Sequence, residues 1–275
     1  MKFENIRVMN FENALRGMRN PLESWEKSDS IFGLEFEDCE SILHRTNNQP
    51  YEILYSDNGY CEFVSIGPND MQLMQKLIKG GGEHRKFMRQ IFVSVDITAP
   101  LYFWKEFDTY KVGTTANSTS TMHKLASKPI STDCFEMDDF QDLDIEFETF
   151  DCLCSDLHLI KAEVADEVCR LIDFLECLRK SYLKYNERAK LESNEKTKAR
   201  LIRVAKAYWK ELVRWLPESW LQTRTVTMTY ENLFNMIHQR ENHKLNEWSG
   251  KDNPKLISFI KFVKTLPYTK EILFI

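Results

Sequence analysis

The sequence predicts a mixed α/β (α+β) domain, a small sheet accompanied by a long helical hairpin. Three observations carry that expectation. Ile91, Val93, Val95 and Ile97 alternate with Phe92, Ser94 and Asp96, the period of a half-buried strand rich in β-branched residues. Val164, Val168, Leu171, Leu175, Leu178 and Tyr182 recur at steps of three and four, as one helix face does, and so do Leu201, Ala205, Tyr208, Leu212 and Trp215. Between the two stripes, residues 185–198 are charged and hold no large aliphatic cluster. The segment at about 160–216 therefore reads as two antiparallel helices around an exposed tip. No internal repeat or low-complexity linker breaks the chain, so residues 1–275 read as a single domain.

The remaining elements follow in order. Ile6–Met9 reads as a short strand and residues 11–18 as a short helix. Tyr51–Tyr55 and Tyr60–Ile66 are extended segments flanking Asp57-Asn58-Gly59, a hairpin signal. Pro68-Asn69-Asp70 opens a helix running from Met71 to Lys79, and Gly80-Gly81-Gly82 ends it. Ala99-Pro100 stops the strand that begins at Ile91. Residues 101–111, aromatic and charged, read as helix, and the small polar run 113–121 reads as loop. Residues 128–152 are irregular and acidic, with Asp138, Asp139, Asp142, Asp144, Glu146 and Glu148. They lack the spacing and turning glycine of an EF-hand, so a solvated loop is expected. Thr229 is placed to cap a helix over 230–241, with Glu231 in its first turn. Asn253-Pro254 is placed to open a last helix in which Leu256, Ile257, Ile260 and Val263 face inward.

Composition narrows the function classes. A net charge of −5 and a pI of about 5.8 give no global basic signature, so no nucleic acid is expected as partner. No run approaches the roughly 20 apolar residues that span a bilayer, and no membrane is expected. The N-terminus lacks the apolar run of a secretory signal. The seven cysteines are odd in number and scattered, which fits structural or incidental thiols in a reducing cytoplasm and no bound metal. Walker A, GxGxxG, HExxH and GxSxG patterns are all absent. What remains is the polar loop at 113–121 and the cluster Asn235, His238, Arg240 and Glu241. On pattern alone that cluster reads either as a solvated helix face or as an anion site.

Taken together, these pieces resemble the flavin-dependent thymidylate synthases. In that family a stretch with glycine and histidine precedes a strand ending in Ala-Pro; here Gly82-Glu83-His84-Arg85-Lys86-Phe87 precedes Ile91–Ile97 and Ala99-Pro100. An aromatic helix and the signature Arg-His-Arg, seven residues, Ser follow in the family. Here Phe103-Trp104-Lys105-Glu106-Phe107 and the run from Thr109 to Ser120 follow. The triplet itself is replaced: Tyr110-Lys111-Val112 or Thr109-Tyr110-Lys111 stands in its place, and Lys111 is the one cation in either register. The family's arginine-glutamine pair becomes Lys105-Glu106. A second block, Arg214-Trp215-Leu216-Pro217, then Thr225–Thr229, then Asn232 to Arg240, is similar to the family's arginine-x-leucine-proline segment, threonine-rich stretch and asparagine-rich helix. Between Pro217 and Arg240 it aligns without a gap.

The resemblance implies a thymidylate synthase-complementing protein-like fold and a reductive methylation of dUMP to dTMP. The implied cofactor is FAD, with NADPH and methylene-tetrahydrofolate as co-substrates. Arg240 falls on the substrate arginine and is the implied catalytic residue, polarising the pyrimidine ring. Ser120, Lys105 and Glu106 join Arg240 as implied substrate-binding residues. His84, Lys86, Lys111, Asn117, Thr229 and Asn235 are the implied flavin-binding residues. Since lysine offers a point charge where arginine offers a planar two-point donor, loss of the triplet weakens both anion sites, and Lys86, Arg89 and Lys111 are the available compensation. The family's sites form between subunits of a homotetramer, so a homo-oligomer is implied. Two other readings stand beside this one: a same-fold flavin or nucleotide enzyme with a changed one-carbon transfer to a pyrimidine, and a non-catalytic nucleotide-binding homologue.

Overall fold

Val93, Val95 and Ile97 are fully buried while Phe92, Ser94 and Asp96 are half-buried, so the alternation read from the sequence does form a strand. The computed structural model describes residues 1–36, 39–137, 151–253 and 255–275. Its strands are β1 Lys2–Met9, β2 Ile31–Phe36, β3 Glu52–Asp57, β4 Tyr60–Ser65, β5 Phe92–Pro100, β6 Thr115–Ser118 and β7 Leu221–Thr229. A four-stranded sheet has the order β1-β5-β7-β6 and a three-stranded sheet the order β2-β4-β3. The chain forms two units, one of Met1–Thr98, Glu106–Asn117 and Arg224–Ile275, the other of Ala99–Lys105 and Ser118–Thr223.

In the first unit, β1 runs antiparallel to β5, pairing Val8 with Val93 and Phe3 with Ile97. The β3–β4 hairpin turns at Asn58 and Gly59, both at positive φ (51° and 79°), the conformation of a tight two-residue turn whose twist matches the strands. The helix Pro68–Lys79 begins with proline, whose missing N–H is no loss in a first turn, and ends at Gly80. The helix Tyr230–Arg240 is fixed by a reciprocal cap: the Thr229 hydroxyl accepts from the Asn232 N–H (3.2 Å) and the Asn232 carboxamide oxygen accepts from the Thr229 N–H (3.0 Å). Its inner face, Tyr230, Leu233, Met236 and Ile237, is fully buried. Tyr230 meets Phe11 edge-on at 5.5 Å, and Trp248 meets Phe259 at 5.1 Å.

The second unit contains the expected helical hairpin, Asp151–Leu191 and Glu195–Arg214. Asn194 caps the returning helix by accepting from the Thr197 N–H (3.1 Å). Leu175, Leu178 and Leu212 pack with Leu125, Ile130 and Phe135, and Tyr185 stacks on Tyr208 at 5.5 Å. Trp104 is buried, its indole N–H donating to the carbonyls of Ala99 (3.1 Å) and Gln222 (2.9 Å).

Several expectations are corrected. Residues 115–118 form the edge strand β6 rather than loop; all four are exposed, so no burial alternation marked them. Pro100 ends β5 from inside it, at a terminal position where a missing N–H costs little. The helix after it stops at Phe107; the turn of the hairpin, residues 192–194, falls inside the expected tip, and helix extends into the tip from both sides. The last expected helix starts at Phe259, capped by Ser258, whose hydroxyl accepts from the Lys261 N–H (3.2 Å). Asn253 instead accepts from the N–H groups of Lys255 and Leu256 (3.1 and 3.2 Å), a local turn that competes with helix. Ile257 is accordingly exposed, while Leu256, Ile260 and Val263 are buried. Val164 and Trp215, at the ends of the two apolar stripes, are also exposed. The acidic residues from Asp138 to Glu148, and Pro254, lie outside the described residues. Among the described residues, Cys61, Cys134, Cys169 and Cys177 are in no disulfide, no His, Cys, Asp and Glu cluster suits a metal, and no helix is long and apolar enough to cross a membrane.

Candidate functional site

The Thr229–Asn232 cap sets the register of the Tyr230–Arg240 helix and leaves Arg240 in its last turn, where a cation is favoured by the exposed carbonyls. Four side chains of the first unit converge there. The Arg240 guanidinium donates from Nη1 to the Glu106 carboxylate (2.5 Å) and from Nε to the Tyr110 hydroxyl (2.9 Å). Its plane lies 5.1 Å from the Trp248 ring centre and 5.6 Å from that of Tyr110. His243 Nε2 lies 3.0 Å from the same Glu106 oxygen. The Tyr110 hydroxyl in turn donates to Gln239 (2.9 Å). Arg240 and Glu106 are 19% and 33% exposed, half-dry positions at which charge pairing counts for more than at an open surface.

A second polar group lies on the same helix, on another side from Arg240. Arg85 donates to Glu231 and to the Asn235 carboxamide oxygen, both at 3.4 Å, and its guanidinium lies 4.3 Å above the Phe234 ring. Arg89 pairs with the same Glu231, which holds the guanidinium further toward its charged form by hydrogen bonding. Both arginines are thus spent on one carboxylate, and Arg89 is no free phosphate donor as the sequence suggested.

The loop between Tyr110 and β6 is held by Gly113 and Asn232. Gly113 is left-handed (φ +75°), and the Asn232 amide donates to the Val112 carbonyl (2.7 Å). Against this loop lies a cavity of about 220 Å³ lined by Phe107, Asp108, Tyr110, Lys111, Thr114, Ala116 and Arg224. Among the described residues the buried Thr114 hydroxyl oxygen has no hydrogen-bond partner, and Arg224 is paired with Asp108 (2.6 Å). The cavity thus offers an anion one ammonium, one guanidinium already paired with a carboxylate, and an orphan hydroxyl.

The residues singled out from the sequence are only partly brought together. Arg240 and Glu106 meet directly. Asn235 meets Arg85, which the motif contained but which was not singled out. Thr229 is occupied as a helix cap. Lys86 is paired with Glu83 (2.9 Å), while His84, Lys111 and Asn117 are exposed. Lys105 and Ser120 belong to the second unit. There Lys105 is paired with Glu218 (2.6 Å), and the Ser120 hydroxyl caps the helix Thr121–Lys124 by accepting from the His123 N–H (3.1 Å). Tyr110, His243 and Trp248 were not selected from the sequence. Their signal was available: each carries a polar handle on a ring and flanks the alignable blocks.

The fold and the Arg240 cluster define a mixed α/β protein with a polar, aromatic-lined guanidinium site. No protein-family model matches the sequence, and no curated protein matches it. Among solved structures, the chain is similar to the flavin-dependent thymidylate synthase ThyX from Helicobacter pylori complexed with FAD and dUMP. That match has a TM-score of 0.51 and 13% sequence identity, and covers 99% of this chain and 98% of that one. A further structure of ThyX from Helicobacter pylori with FAD and dUMP gives a TM-score of 0.46 at 14% identity, covering 98% and 97%. The chain has the fold of the flavin-dependent thymidylate synthases.

Proposed function

We propose that this chain is an FAD-dependent thymidylate synthase-like protein that methylates dUMP to dTMP reductively, with methylene-tetrahydrofolate and NADPH as co-substrates. The observation that carries the reading is the Arg240 cluster on the helix that the resemblance marks as substrate-binding, in a chain of this fold. Arg240 is the catalytic residue of the proposal: a guanidinium beside a pyrimidine carbonyl favours negative charge on the ring. Glu106, Lys105 and Ser120 are the proposed partners of the nucleotide. His84, Lys86, Lys111, Asn117, Thr229 and Asn235 are the proposed flavin contacts. The cavity at Thr114 and Lys111 fits the phosphate end of such a cofactor in charge and in donor type. Bound FAD would supply hydride delivery, and this chain's residues would bind, orient and polarise. The apolar side chains exposed on the hairpin, among them Phe174, Leu183, Leu191 and Val204, support assembly into a homo-oligomer, which we propose to be a tetramer.

One observation favours a second reading. Arg240 already holds a carboxylate, and Arg85 and Arg89 share another, so the cations nearest the proposed site are largely neutralised. That suits a non-catalytic nucleotide-binding homologue, or an enzyme of this fold with a changed pyrimidine one-carbon transfer. The two are separated first by flavin. Protein purified with yellow flavin absorbance, or acquiring it with added FAD, supports an enzyme; colourless protein that ignores FAD sinks it. Rescue of a thymidine-requiring strain, lost on Arg240→Ala, then supports thymidylate synthesis; a flavoprotein that fails to rescue points to the changed reaction.

A further inference from the structure

The segment 179–214 carries twelve lysines and arginines against four glutamates, a net charge of +8 in a chain whose total is −5. Within the second unit this excess meets a cleft of about 560 Å³, lined by Met122, His123, Tyr182, Lys206, Trp209 and Lys210. Lys206, Trp209 and Lys210 stand at helical steps of three and four, hence on one face. Among the described residues, neither lysine nor the His123 ring has an ion-pair or hydrogen-bond partner, and no carboxylate lines the cleft. Some of the other basic residues of the hairpin are paired, among them Arg179 with Glu176, Lys190 with Glu187, and Arg214 with Glu211. Tyr182 and Trp209 are half-buried and offer ring surface beside the two ammonium groups.

We propose that this cleft is a second binding site, for a phosphorylated planar ring, that is, a nucleotide. The ring packs against Trp209 and Tyr182, and the phosphate sits between Lys206, Lys210 and His123. Stacking on an aromatic face accepts any base, and unpaired cations at its edge supply the phosphate contacts. A mononucleotide fits a cleft of this size. The same chemistry is presented by a nucleotide within a single strand, and the density of charge along the hairpin gives a strand further contacts. None of the six lining residues is among those proposed above for flavin or dUMP, although Met122 and His123 lie in the short helix that Ser120 caps.

The test is isothermal titration of the full chain with AMP, inorganic phosphate and a ten-nucleotide oligothymidylate, at low and at physiological salt. AMP is expected to bind, and phosphate alone to bind at least about fivefold more weakly, because it lacks the stacking contact. Lys206→Ala with Lys210→Ala should weaken AMP about tenfold or more, and both lysines are exposed, so the variant keeps its fold by circular dichroism. Trp209→Ala should weaken AMP but not phosphate, and Arg240→Ala should change neither. If the oligonucleotide binds more tightly than AMP with a steeper loss in salt, the source is a strand; if equally, a free nucleotide. No binding by AMP or oligonucleotide up to millimolar concentration overturns the proposal. So does binding that survives the double lysine substitution, that Arg240→Ala abolishes, or that phosphate reproduces at equal strength.

Discussion

Replacing Glu106 by glutamine keeps the shape of the side chain and removes the charge that faces Arg240 at 2.5 Å. At charge centres about 4 Å apart and an effective dielectric near 20, such a pair gains about 4 kcal/mol. Glu106 is one-third exposed, and solvent screening brings the usable part down to about 1–1.5 kcal/mol. If Arg240 is a ligand group, that energy is what an incoming carbonyl or phosphate must overcome to displace the carboxylate. Glu106→Gln should therefore tighten dUMP about tenfold in equilibrium dialysis. It should also lower the unfolding midpoint by about 2–4 °C, since the folded state loses the same pair. Arg240→Ala should abolish the gain. Unchanged or weaker dUMP binding by a folded Glu106→Gln protein refutes the reasoning: either Arg240 does not meet the ligand, or the proposed contact of Glu106 with the nucleotide depends on the carboxylate charge that glutamine lacks.

Three further outcomes follow from the geometry. Gly113→Ala places a Cβ 2.9 Å from the Asn232 carboxamide oxygen at a left-handed backbone position, and that oxygen is already fixed by two hydrogen bonds from Thr229. Urea denaturation should show a loss of about 1–3 kcal/mol, and an unchanged midpoint would mean that the loop is not held as described. Glu176 is held down at about 2 by hydrogen bonds from Arg179, with help from the Ile130 N–H. Its folded value lies below the ordinary 4.5, so its contribution, up to about 3 kcal/mol, is complete above pH 4.5 and is lost as pH falls through about 2. Glu176→Gln should flatten the loss of stability between pH 5 and 2, and an acid limb as steep as wild type would argue against the pair. Light scattering at micromolar concentration should report an oligomer, and Leu183→Asp with Val204→Asp, both at exposed hairpin positions, should shift it toward smaller species; a wild-type monomer would remove the proposed assembly.

What the sequence revealed, and what it hid, has a physical pattern. Strand β5 and the two hairpin helices were legible because each buries a single face, so hydrophobic spacing repeats at the period of the element. The Tyr230–Arg240 helix was legible at its start because threonine followed three residues later by asparagine is a reciprocal cap written in the sequence. Strand β6 was invisible because an exposed edge of Thr-Ala-Asn-Ser buries nothing and its pairing partner is remote. The last helix was misplaced because an asparagine that caps a helix and one that closes a local turn look alike until the backbone groups it serves are known.

The site divides along the same line. Arg240 could be found by its position in an alignable block, but the meaning of an arginine lies in what faces it, and its partner stands 134 positions away. Glu106 stands where the resemblance gives the family a glutamine, and in this chain it sets a charged acceptor against the guanidinium. Arg240 and Glu106 form a closed pair, which a ligand must break before Arg240 can touch it. A pair of this kind is weak enough to open when Glu106 is one-third exposed, and strong enough to discriminate against ligands that offer Arg240 no acceptor in return. The pair is therefore better read as a filter on what reaches Arg240 than as proof that nothing does, and Glu106→Gln is the substitution that separates those two meanings.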